Sequence, residues 1–129
     1  MTRAGEILVV DDDPDLREFL QLALRSMGFE VTSAANGLEA LDAMEGHDPD
    51  LILLDMKMPV MNGWEFCRAV EGRIACPPIV VLTAAPDPAA RAAEAHADGW
   101  LGKPFEYADL EATVRRFAAR RDHPRSATS

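Results

Sequence analysis

Basic residues are scarce in this chain. Lys and Arg number 13 against 22 Asp and Glu in 129 residues, a formal net charge of −9. That balance excludes direct nucleic-acid binding by the body of the protein, because such affinity comes from cations laid along phosphates. Arg115, Arg116, Arg120, Arg121 and Arg125 are a local exception near the end of the sequence. They read as a solvated helix end, where cations are favoured, followed by a frayed tail. Long apolar runs are missing too. None approaches the ~20 residues that span a bilayer, and Met1 to Glu6 is short and polar, unlike a signal peptide. A cytoplasmic protein with no membrane partner is expected. Cysteine is limited to Cys67 and Cys76. They lack metal-ligand spacing, so two reduced thiols are expected.

The sequence contains short apolar runs that alternate with helical patterns. Ile7-Leu8-Val9-Val10, Leu51-Ile52-Leu53-Leu54 and Ile79-Val80-Val81-Leu82 have the length and character of buried parallel strands. Phe29 to Ser33 and Trp100-Leu101 predict two more. Asp13 and Pro14 open a first helix carrying Leu16, Phe19, Leu20, Ala23, Leu24 and Met27, which Gly28 stops. Asn36 caps a second, with Glu39 in capping-box position and Leu38, Leu41 and Met44 as its apolar face. Trp64, Cys67 and Val70 mark a third. Asp87-Pro88 opens a fourth, rich in alanine and therefore weakly held to any core. Leu110, Val114 and Phe117 mark the last, from about Tyr107 to about Arg120. One domain over residues 1–121 and a disordered tail over 122–129 are expected.

Strands alternating with helices imply an α/β fold, a doubly wound parallel sheet covered on both faces. All its strands end at one edge, where such sheets bind ligands. Asp11-Asp12, Asp55, Thr83 and Lys103 each follow one of these strands, so they converge on that rim. Three carboxylates gathered there repel, and a hard divalent cation relieves the repulsion. Mg²⁺ prefers oxygen ligands and commonly bridges to phosphate. Asp12 and Asp55 are the expected direct ligands, with Asp11 acting through water and the Lys57 carbonyl completing the set. Asp55 can also attack phosphorus to give an aspartyl phosphate. Lys103 and the Thr83 hydroxyl can then stabilise the charge on the phosphoryl oxygens. Lys103-Pro104 is a candidate cis peptide, while Asp13 reads as a cap alone.

These residues resemble a response-regulator receiver domain of two-component signalling. The match runs from about Glu6 to Phe117. It is carried by Leu8-Val9-Val10-Asp11-Asp12-Asp13, Asp55-Met56-Lys57-Met58-Pro59-Val60-Met61-Asn62-Gly63, Leu82-Thr83-Ala84 and Lys103-Pro104-Phe105. The resemblance implies a flavodoxin-like five-stranded sheet of order 2-1-3-4-5 with five helices. It implies that Asp55 accepts a phosphoryl group from a phosphohistidine on a sensor histidine kinase or histidine phosphotransfer protein. It further implies Mg²⁺ held by Asp11, Asp12, Asp55 and Lys57, and a phosphate-binding switch at Thr83, Ala84, Lys103 and an aromatic at Trp100. The fourth-helix, fifth-strand and fifth-helix surface would then change, reaching a downstream protein partner or a lost effector domain. A homodimer through that face is a further expectation. The chain would be no enzyme beyond its own phosphorylation and dephosphorylation.

Two positions depart from the family's pattern. Tyrosine, phenylalanine or histidine is usual where Trp100 stands, so Trp100 is either a bulkier switch or a fixed core residue. His96 stands where receivers often have glycine, a place suited to left-handed backbone. A haloacid-dehalogenase-type phosphatase would need a second aspartate where this chain has Lys57. The remaining alternative is a degenerate receiver that binds partners independently of phosphorylation.

Overall fold

The computed structural model describes residues 5–58, 60–70 and 77–122, with no side chains described from 119 onward. The thiol expected at Cys76 and the tail beyond Asp122 lie outside these residues. Five strands alternate with five helices: β1 Glu6–Val10, α1 Pro14–Ser26, β2 Glu30–Ala34, α2 Gly37–Gly46 and β3 Leu51–Asp55 come first. Then follow α3 Gly63–Val70, β4 Ile79–Thr83, α4 Pro88–Glu94, β5 Gly99–Gly102 and α5 Tyr107–Asp122. All strand pairings are parallel, in the order β2-β1-β3-β4-β5. The predicted fold class and strand order are the observed ones.

The apolar runs are continuous because both faces of the sheet are covered, and successive side chains enter opposite cores. Ile7, Val9, Leu51, Leu53, Val80 and Leu82 pack with Leu20 and Leu24 of α1 and Leu110, Val114 and Phe117 of α5. Leu8, Val10, Ile52, Leu54 and Val81 pack with Ala40, Phe66, Cys67, Val70 and Ala92 of the other three helices. β2 is the exception, half open along its length as an edge strand.

Helix boundaries follow their caps. Asp13 accepts from the Asp15 N–H, with Pro14 in the first turn. Asn36 accepts from the Glu39 N–H, while Glu39 reaches back to the Ala35 N–H at 2.8 Å. Gly28 has a φ of 99°, the left-handed stop expected after α1. Phe29 lies outside β2 as a buried core residue, its N–H held by the Leu24 carbonyl. Leu38 and Phe19 are exposed rather than core-facing. Leu38 sits roughly a quarter-turn off the Gly37, Ala40, Leu41 and Met44 stripe that meets the sheet. Phe19 instead lies beside Phe105, with ring centroids 6.5 Å apart. α4 buries only Ala92 along its own length. No described helix is long and apolar enough to cross a membrane.

Candidate functional site

The C-terminal ends of β1, β3, β4 and β5 meet at one rim; β1 delivers two carboxylates there and each of the others one polar group. Asp11 is fully buried just beyond β1. One of its carboxylate oxygens accepts from the Asp13 N–H at 2.9 Å, and the other accepts from Lys103 Nζ at 3.0 Å. Its carbonyl accepts from Arg17 at 2.7 Å. Asp12, the next residue, is exposed. Carboxylate oxygens of Asp11, Asp12 and Asp55, one from each, lie within 4.8 Å of one another.

Asp55 ends β3 and is 7% exposed. Lys103 Nζ lies 3.6 Å from its Oδ1, and the Lys57 N–H donates to that oxygen at 3.4 Å. Burial pushes the Asp55 carboxyl up from 3.8 to about 6. The neighbouring Asp11 charge adds to the rise, while Lys103 opposes it. Three oxygen donors whose mutual repulsion shows in the proton affinity of one of them fit a small hard cation. Asp11 has both oxygens engaged, whereas Asp12 is exposed.

Thr83 closes β4 and is buried; its hydroxyl accepts from the Ala85 N–H at 3.0 Å. Its carbonyl receives the Lys103 N–H at 2.7 Å, tying the two strand ends together. The Lys103–Pro104 peptide is cis. Asp55, Lys57, Thr83, Ala84 and Lys103 line one cleft of about 480 Å³. Trp64, Pro86 and Arg91 line it as well. Sequence reasoning did not single out Arg91, because an arginine on a short alanine-rich helix carries no local signal of what it faces.

Trp100 is not brought into this cleft. It is 49% exposed, so its reading as a fixed core residue is wrong for this structure. Leu101 turns into the α1–α5 core, and alternation sends Trp100 to the other face of the sheet. His96 has a φ of 57°, left-handed backbone that glycine adopts more readily than histidine.

Comparison with known proteins agrees with this geometry. Residues 7–115 match the family model described as the response regulator receiver domain. The chain is 41% identical over 126 residues to the DNA-binding response regulator MtrA of Mycolicibacterium smegmatis, covering 95% of this chain and 55% of that protein. It therefore spans about half the length of the curated relatives it matches. Among solved structures, the chemotaxis response regulator CheY4 of Vibrio cholerae superposes with a TM-score of 0.83. Sequence identity is 36%, over 90% of this chain and 99% of that one. The receiver domain of sensor histidine kinase PA1611 from Pseudomonas aeruginosa, with a magnesium ion coordinated in its active-site cleft, gives a TM-score of 0.82. Its identity is 32%, over 89% of this chain and 98% of that one.

Proposed function

Because the chain belongs to the response regulator receiver domain family, we propose that Asp55 is its phosphoryl acceptor, charged by a phosphohistidine on a sensor histidine kinase or histidine phosphotransfer protein. The observation that carries this reading is the setting of Asp55. It is a buried carboxylate with a lysine ammonium at 3.6 Å and a threonine hydroxyl in the same cleft.

A carboxylate oxygen of Asp55 attacks phosphorus. A P–O bond forms as the P–N bond to the donor histidine breaks, and the electron pair leaves on the imidazole nitrogen. The transition state spreads charge over the phosphoryl oxygens, so the protein's part is mainly positioning and electrostatics. Lys103, held by Asp11 at 3.0 Å, is already in place to meet that charge. The Thr83 hydroxyl offers a donor on the β4 side. Asp11, Asp12, Asp55 and the Lys57 carbonyl would hold Mg²⁺, which when bound neutralises carboxylate and phosphoryl oxygens together.

The output would pass from Thr83 through α4, β5 and α5, with Trp100 on that surface. Its recipient would be a protein partner, an effector domain or a second copy of the chain. The MtrA relatives are named as DNA-binding regulators, which supports an effector domain in a longer protein. Nothing among the described site residues favours the phosphorylation-independent alternative.

The test is incubation with acetyl phosphate and Mg²⁺, followed by intact-mass measurement. The wild-type chain should gain one phosphoryl group, and Asp55→Asn should gain none. An unmodified wild-type chain with an intact circular dichroism spectrum refutes the assignment.

A further inference from the structure

The phosphoryl cleft has one wall that the chemistry above leaves unused. Arg91, on α4, lines it together with Asp55, Thr83 and Lys103. One terminal nitrogen donates to Glu94 at 2.7 Å on the same helix. Its Nε is shielded from solvent and has no hydrogen-bond partner, a condition shared by no other buried side-chain nitrogen or oxygen among the described residues. A guanidinium brings five donors, and one that is desolvated without an acceptor is unfavourable. A ligand entering the cleft is one partner that would complete it.

Arg91 is not among the charges that shift the Asp55 carboxyl. In the resting protein it serves Glu94 instead. A phosphoryl group on Asp55 would stand further into the cleft and bring up to two negative charges with three acceptor oxygens. Lys103 follows β5 and is engaged by Asp11, Thr83 comes from β4, and Arg91 alone of the three is carried by α4.

We propose that Arg91 recognises the phosphoryl group directly. Its guanidinium turns from Glu94 to a phosphoryl oxygen and draws α4 toward the site. α4 is well suited to move, since it buries only one alanine of its own. The inference rests on Asp55 being the acceptor. It adds a cation carried by the moving element itself, so that the helix reads the phosphate without an intermediary.

Beryllofluoride with Mg²⁺, bound to the full chain and followed by fluorine NMR and tryptophan fluorescence, tests it. Arg91→Gln should weaken beryllofluoride binding about tenfold, or about 1.4 kcal/mol. Mg²⁺ affinity without beryllofluoride should stay within about twofold. Arg91→Lys should recover part of the loss, because it keeps the charge without the planar fork. Glu94→Gln should tighten binding by freeing the guanidinium. Equal affinity in wild type and Arg91→Gln, with Asp55→Asn abolishing binding, overturns the proposal and leaves Asp55 as acceptor. A parallel loss of Mg²⁺ affinity also overturns it. If the wild-type chain fails to bind beryllofluoride, the assignment of Asp55 itself falls.

Discussion

Asp55→Asn should stabilise the metal-free protein at neutral pH. The native carboxyl holds its proton up to about pH 6, against 3.8 in its ordinary state. Charging it in the folded chain is therefore a cost that the unfolded chain escapes. The sign follows from proton binding. Between about pH 4 and 6 the folded state keeps a proton that the unfolded state has lost, so Asp55 makes stability fall as pH rises through that window. Above pH 6 the penalty is complete. The difference corresponds to about 3 kcal/mol at most, and water entering the cleft brings it to about 2 kcal/mol. Asparagine has nearly the same shape and no charge. Thermal unfolding at pH 7.5 with a chelator should show Asp55→Asn melting about 6–8 °C above wild type. The gap should shrink steadily as pH falls from 6 to 4. Saturating Mg²⁺ should close it from the other side. At a hundredfold excess over the dissociation constant, binding adds about 2.7 kcal/mol to a protein that holds the ion and less to one that has lost a ligand. A variant no more stable than wild type at pH 7.5, or equally advantaged at pH 4 and 7.5, refutes the reasoning.

Lys103→Ala should lose about 3 kcal/mol or more in urea unfolding, because it leaves the fully buried Asp11 carboxylate without its cation. A loss below about 1 kcal/mol would contradict that account. Gly63→Ala should cost about 1–3 kcal/mol in the same assay, because a Cβ there would stand 2.7 Å from the Met56 Cα. Wild-type stability in Gly63→Ala would show that the start of α3 does not press on the loop after Asp55.

The sheet was legible because three of its strands are buried on both faces and so are written as unbroken apolar runs ending in Asp11, Asp55 and Thr83. β2 was placed one residue early. Phe29 looks like a strand residue by type, but its burial comes from closing α1 onto the core. The site was legible as a convergence: parallel topology alone brings Asp11, Asp55, Thr83 and Lys103 to one edge. The orientations of single side chains were not. Trp100 is of a type usually found in cores, but it stands on the edge strand β5 and is exposed. Arg91 was invisible for the opposite reason. Its significance lies in one unmade hydrogen bond, which depends on where a seven-residue helix is set down and not on any neighbour in sequence.

Lys103 and Asp11 meet across 92 positions of chain, and the two carboxylates around them are brought together by strands that are not consecutive. Contacts of that span carry a loop-closure cost that local contacts escape. A chain that has assembled β1, β2 and β3 presents the acidic groups without Lys103, the ammonium that Asp11 holds at 3.0 Å. If Asp55 is the acceptor proposed above, the residues that would stabilise its phosphoryl group are complete only once β5 has joined the sheet. On that reading, receiving the signal would depend on a completed sheet.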